Sequence, residues 1–175
     1  MSTTLTIGST LFLASYASTY PVARIGAGAV LSDWPWIGQY YSGQYEVNQV
    51  FGSFDTTTLS GPIVEATLTM TVLESYGDTV LEVREHDWPA TTAAFVPGDL
   101  LNGKRLVGSA PIGPGGERDI SIALGPIDQP RPFKFLMTIA DQTNNVAPTG
   151  DTTLIVDNVR LTVTVANRAR FFTWL

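Results

Sequence analysis

The chain carries one histidine, His86, followed at once by Asp87. A Ser-His-Asp triad would need that imidazole as its base, with a serine held against it. No Gly-x-Ser-x-Gly elbow is present to hold one. His86 and Asp87 therefore read as residues that satisfy backbone groups at a strand end, just before Trp88-Pro89. The densest carboxylate group is Glu82, Glu85 and Asp87. Glycoside hydrolysis needs two carboxyls facing each other across roughly 5–9.5 Å, and strand alternation puts Glu85 and Asp87 on one face with Glu82 on the other. Arg84 interrupts the group and a Trp-Pro turn closes it, so a salt-bridged strand end is the stronger reading and a glycosidase the weaker. No residue is assigned a catalytic role, and the chain reads as a non-enzyme.

Metal and phosphate chemistry find little support. No calcium-loop pattern of alternating Asp/Asn with a glycine occurs. Asp141, Asn144, Asn145 and Asp151 carry oxygens that suit a structural Ca²⁺, but these residue types are also ordinary turn formers, and that reading is preferred. Gly113-Pro114-Gly115-Gly116 lacks the following helix and Lys-Ser/Thr of a phosphate cradle. The absence of cysteine removes disulfides, thiolate metal sites and cysteine nucleophiles. The expectation is no metal and no cofactor.

Two aromatic groups are more informative. Trp34, Trp36, Tyr40 and Tyr41, with Tyr45 just beyond, lie in a stretch broken by Gly, Pro and Gln. Flat rings beside an amide or a carboxylate suit stacking on sugars. The same rings also suit a loop capping one end of the fold, or a protein–protein interface, where Trp and Tyr are enriched. The second group is C-terminal: Arg168, Arg170, Phe171, Phe172, Trp174 and Leu175. Large apolar residues at a chain end call for burial, against the chain itself or a neighbour. The two arginines favour a neighbour, so residues 167–175 read as a docking tail.

The elements that must position these groups follow a period of two. Ala66, Leu68, Met70 and Val72 alternate with threonines within Ile63–Glu74, the pattern of a half-buried strand. The same alternation predicts strands at Thr79–His86, Asp119–Leu124, Phe133–Ile139 and Val159–Val165, with two more at Leu5–Leu13 and Tyr45–Phe54. Tyr76-Gly77-Asp78 is expected to close a hairpin, Asn102-Gly103 to form a tight turn, and Pro111–Gly116 and Gly150-Asp151 to break the chain. No long helix is expected; single helical turns are placed at Thr91–Phe95 and Asp99–Leu101. Short strands separated by turns predict an all-β antiparallel β-sandwich of the jelly-roll kind, one domain over residues 1–166.

Composition limits the partners. The 175 residues are 44% hydrophobic and 15% charged, against roughly 25% charged in an average domain. Ten Lys and Arg against sixteen Asp and Glu give a net charge of −6, which disfavours nucleic acid and anionic membrane surfaces, both of which need basic patches. The first residues lack the basic and long apolar regions of an export signal, and no apolar run reaches the ~18 residues of a membrane span.

Three stretches carry a family resemblance. They are Gly38–Thr58, with Val50-Phe51-Gly52-Ser53-Phe54-Asp55-Thr56; Ile63–Met70, with Ala66-Thr67-Leu68; and Glu85–Leu101, with His86-Asp87-Trp88 and Phe95-Val96-Pro97-Gly98, followed by Leu106–Ala110. Together they resemble the jelly-roll modules of tailed-bacteriophage virion proteins, minor tail or decoration proteins, which in pattern are similar to carbohydrate-binding-module-like sandwiches. Gln49-Val50 stands where that pattern usually has Arg-Gly. The resemblance implies a virion location, other virion proteins as partners, a homo-oligomer and, as an alternative, binding of host surface glycan. It transfers no catalytic residue. Within it, Asp55 is expected to cap the Thr56–Thr58 turn, Phe54 to be buried, and Trp88 to anchor the segment carrying Phe95.

Overall fold

The computed structural model describes residues 1–24, 30–88, 105–127 and 131–166. Eleven strands and two short helices occur among them: β1 (Ser2–Thr6), β2 (Ser9–Ala17), α1 (Tyr20–Arg24), β3 (Val30–Leu31), β4 (Trp36–Tyr41), β5 (Tyr45–Phe54), β6 (Ile63–Ser75), β7 (Thr79–Glu85), β8 (Leu106–Ile112), β9 (Arg118–Leu124), β10 (Phe133–Ile139), α2 (Ala140–Thr143) and β11 (Thr152–Val165). Every strand pair is antiparallel. The all-β class and the lack of a long helix among the described residues agree with the sequence.

Period two fixes most of the strands. In β6, Ala66, Leu68, Met70 and Val72 are buried while the threonines between them stay partly exposed. β5 and β10 begin and end where the pattern puts them. The expected strand Leu5–Leu13 is instead two, because the chain leaves β1 at Ile7-Gly8, where the Gly8 N–H bonds to the Ser53 carbonyl (2.8 Å), and pairs with a different neighbour. β11 starts seven residues before Val159, the start read from the sequence. A bulge hides its first half, since the register with β6 slips around Asp157–Arg160 and Asn158 takes φ 52°. β8 escaped notice because Gly108 and Pro111 look like turn residues. Among the described residues it pairs only with β7, an edge position of the kind where proline is tolerated in a sheet.

Tyr76-Gly77-Asp78 is not a hairpin. β6 pairs with β11 and β9, whereas β7 pairs with β10 and β8. The turn therefore carries the chain from one branch of the sheet to the other, with Gly77 at φ 71°.

The two branches part at β5. β2 pairs with residues Tyr45–Ser53 and so occupies one edge of β5 for nearly its whole length. The other edge is shared, with β4 against residues 45–48 and β10 against residues 50–54. Beyond β4 the order runs β11, β6, β9; beyond β10 it runs β7, β8. The branches enclose one core, with Phe54, Phe135, Met137, Leu81 and Val83 meeting Leu68, Met70, Leu161 and Val163. Phe135 stacks on Phe54 at 5.4 Å and on Phe133 at 5.6 Å. The free ends converge: the Gly125 N–H bonds to the Val107 carbonyl (2.7 Å), and a Cβ on Gly108 would lie 2.7 Å from Ile122 and from Leu124. The sheet is nearly closed. A second cluster of Leu13, Phe51, Leu136 and Trp88 covers the other face of β5 and β10.

The fork is plugged by one side chain. After β10 ends, α2 turns Gln142, fully buried, into the gap. Its Nε2 donates to the carbonyls of Gly38 in β4 (2.5 Å) and Asn48 in β5 (3.4 Å). Its Oε1 accepts from Gln49 Nε2 (3.1 Å) and from the Thr138 hydroxyl. Arg24 donates to the carbonyls of Gln142 and Thr143, tying α1 to α2. Buried polar groups left without partners cost about 1–3 kcal/mol each. Gln142→Ala should therefore lower the unfolding free energy in urea by about 2–4 kcal/mol. A loss below about 0.5 kcal/mol, the scale of a neutral surface change, would show that the fork does not depend on this residue.

Candidate functional site

The acidic strand end contains separate ion pairs. Glu82 bonds Arg84 Nε (2.8 Å) and accepts from the Thr143 hydroxyl (3.1 Å). Glu85 pairs with Arg105 (2.9 Å), whose Nη2 also donates to the Pro126 carbonyl (2.6 Å). Asp87 faces Arg131 at 3.9 Å in the open. The His86 N–H donates to the Lys134 carbonyl (3.1 Å), and its buried ring stands edge-on to Phe51 at 5.1 Å. The crevice beside Glu85, His86 and Asp87 holds about 20 Å³, room for roughly one water. The salt-bridged reading of this strand end fits that geometry.

Other sequence readings find definite places. Asp55 Oδ1 accepts from the Thr57 N–H (3.0 Å) and from its hydroxyl, which hold the Asp55 carboxyl below its ordinary value, and Phe54 is fully buried. Asp151 forms the same kind of turn with Thr153, at 3.0 Å to the N–H and 2.5 Å to the hydroxyl. Asp141 lies within α2 and Asn144 caps its end, and the Asp141 carbonyl accepts from the Val146 N–H (2.8 Å). Trp88 is buried against Phe51, donates from Nε1 to the Gly52 carbonyl (3.1 Å), and carries the Lys134 ammonium 5.2 Å above its ring. Phe95, the turns at Thr91–Phe95 and Asp99–Leu101, and Asn102-Gly103 lie outside the described residues. So do Arg168, Arg170, Phe171, Phe172, Trp174 and Leu175. The chain is fixed up to that point: Val165 exchanges bonds with Met1, and the Ala166 N–H reaches the Pro62 carbonyl (2.9 Å).

The central aromatic stretch builds a groove of about 340 Å³. Its rings do not sit on a loop closing an open end. Trp36 and Tyr40 belong to β4, two positions either side of Gly38 and on one face. The strand went unread because Pro35 and Gly38 interrupt the pattern. Gly38 has φ +128°, and a Cβ there would run into the Thr152 carbonyl, so no side chain stands between the two rings. Register completes the walls. Tyr16 of β2 pairs with Glu46 of β5, which pairs with Tyr40 of β4, forming one row across three strands. The next row is small and polar, with Ala14, Asn48 and Gly38. Ile155 pairs with Trp36. Trp34, 66% exposed, forms the rim, held by reciprocal bonds with Ser32 (3.2 Å each).

Tyr41 is not part of this group. It lies on the opposite face of β4, against Tyr45 at 4.7 Å, and Tyr45 meets Tyr20 at 5.7 Å. Of the four rings grouped in the sequence, three line the groove and one does not. Tyr16, Glu46, Asn48 and Ile155 were not foreseen, because only strand register brings them there.

Polar contacts in the groove centre on Glu46. Its Oε2 accepts from the Tyr40 hydroxyl and its Oε1 from Asn48 Nδ2 (2.9 Å). That bond to Glu46, then burial, holds the Tyr40 phenol well above its ordinary value. Burial first, then the Glu46 charge, raises Tyr16. No lysine or arginine is among the described residues that line the groove. The arrangement offers ring faces, one carboxylate and one amide, which suits binding and provides no nucleophile–base pair.

No family model matches the chain, and no curated protein matches its sequence.

The tyrosines give a pH test of this region. Tyr20, whose hydroxyl donates to Gln39 Oε1, is pushed up to about 12, chiefly by burial, from 10.0. Between those values the native state keeps a proton that the unfolded chain has lost, so stability present below pH 10 falls as the pH rises through about 12. The urea midpoint should drop across that window in the wild type and less steeply in Tyr20→Phe. Parallel slopes would refute the assignment.

Proposed function

We propose that the chain is a non-enzymatic structural protein of a bacteriophage virion, a jelly-roll sandwich that decorates a head or tail by packing against neighbouring subunits. The observation that carries this reading is the run Val30–Trp34 at a sheet edge. Val30, Leu31 and Trp34 are 50%, 59% and 66% exposed, on and just beyond the two-residue strand β3 beside β2. Large apolar side chains exposed close together at a sheet edge suit contact with another protein. The ion-paired carboxylates support the same reading, as does the resemblance of residues 38–110 to virion modules. Arg168–Leu175 would add a second contact.

Particles stripped of accessory proteins test it. The full chain is expected to rebind them and to form a defined homo-oligomer by light scattering. Deleting residues 168–175, or introducing Leu31→Asp, should leave a folded protein whose incorporation falls at least tenfold, a loss of about 1.4 kcal/mol. Undiminished incorporation of both variants would sink the docking assignment.

A second reading, a carbohydrate-binding module for host-surface glycan, is favoured by the groove between Trp34, Trp36 and Tyr40. Trp36→Ala should abolish retention on a glycan array while the melting curve stays cooperative. Retention equal to that of the wild type would remove this reading.

A further inference from the structure

We infer that the groove selects neutral, hydroxyl-rich saccharides and rejects those bearing carboxylate or sulfate, because Glu46 stands in it as a negative charge with no cation among the described residues that line it. This inference rests on the carbohydrate reading and narrows it.

Three donors of the site are already committed. The Tyr40 hydroxyl donates to Glu46 Oε2, and one Asn48 amide hydrogen goes to Glu46 Oε1. The Ser32 hydroxyl donates to the Trp34 carbonyl (3.2 Å). What remains toward a ligand is the indole N–H of Trp34 and of Trp36 and a set of acceptors: lone pairs on Glu46, on the Tyr40 oxygen and on the Asn48 amide oxygen. A sugar hydroxyl can donate to each of these while its C–H face lies on an indole. An anionic substituent brings only acceptors, and it must approach Glu46 with no arginine or lysine in the lining to offset the repulsion. Asp151 adds to that field, since its charge also reaches Tyr40.

Geometry sets where the charge acts. Glu46 and Tyr40 are cross-strand partners, and Trp36 lies four residues from Tyr40 on the same face of β4. A ring stacked on Trp36 across the bare backbone of Gly38 therefore points one edge at Glu46. Two unit charges ~6–7 Å apart at a partly exposed site differ from a neutral pair by enough to change affinity roughly tenfold, and salt screens that difference.

The test is a glycan array that pairs neutral oligosaccharides with their uronylated, sialylated or sulfated counterparts, read with wild type and Glu46→Gln. The wild type should retain at least one neutral member and bind its anionic counterpart about tenfold less. Glu46→Gln should shrink that gap to about twofold. Should Glu46→Gln fail to fold, the wild type alone suffices. Raising salt from about 20 mM to about 0.5 M should narrow its neutral-to-anionic gap, since the Debye length falls severalfold. Equal or better binding of anionic members by the wild type would overturn the selectivity and leave the carbohydrate reading standing. No retention of any glycan would overturn the carbohydrate reading itself.

Discussion

The hydrogen bonds of Gln142 sit at the point on which the rest of the sheet depends. A strand has two edges, yet β5 has three partners. Where β10 gives way to β4 along one edge, backbone and side-chain polar groups between the two strands would face a dry interior. Gln142 reaches in from α2 and meets Gly38, Asn48, Gln49 and Thr138 at once. A short helix at that position can deliver an amide, which both donates and accepts, where an apolar residue would leave several groups orphaned.

The fork also explains where the buried polar residues collect. In β5, Val50 and Phe54 face the core, and Glu46 and Asn48 share their face. In β4 and β11, Ile37 and Leu154 face the core, so their neighbours Trp36 and Ile155 point the other way. The buried side of the sheet thus changes over between β5 and β4, although the ladder runs on through Gly38–Asn48 and Tyr40–Glu46. At such a crossover neither face is wholly apolar. Ser15, Gln39, Asn48, Gln49, Thr138, Gln142 and Thr153 are all buried there, and most are bonded to one another or to nearby backbone. The aromatic groove is the side of this crossover that stays open, and α1 and α2 cover the opposite side. Site and scaffold have one cause.

That arrangement sets what the sequence could reveal. β6, β5 and β10 are legible because one face of each is apolar over most of its length, and a period of two is then visible. β4 is illegible because it lies at the crossover, where Ile37 and Gln39 on one side and Trp36 and Tyr40 on the other are all partly or fully covered, with a glycine between. The bulge in β11 hides its first half in the same way. Within the site, Trp34, Trp36 and Tyr40 stand out by type alone. Tyr41 was grouped with them because adjacency in sequence does not reveal that it lies on the other face. Glu46 and Tyr16 belong to the site through pairing 6 and 24 residues away from Tyr40, and no local pattern encodes that register. The salt-bridged strand end was readable because Arg84 lies inside it, although Arg105 and Arg131 come from distant segments.

Trp34 connects the two surfaces proposed to bind. It is the rim of the groove and also the last large residue of the exposed run that begins at Val30. Ser32 fixes its backbone on both sides, and the Trp36 N–H bonds to its carbonyl (2.9 Å), so the indole cannot serve one surface while its backbone swings toward the other. A subunit packed on Val30 and Leu31 would close one wall of the groove, shielding Glu46 further from water and strengthening its field within the cleft. The groove is open on the isolated chain and would become more enclosed beside an edge partner. If both proposed surfaces bind, assembly and ligand recognition on this face would be coupled through one indole, with the sign set by whether the partner leaves the stacking face of Trp36 uncovered.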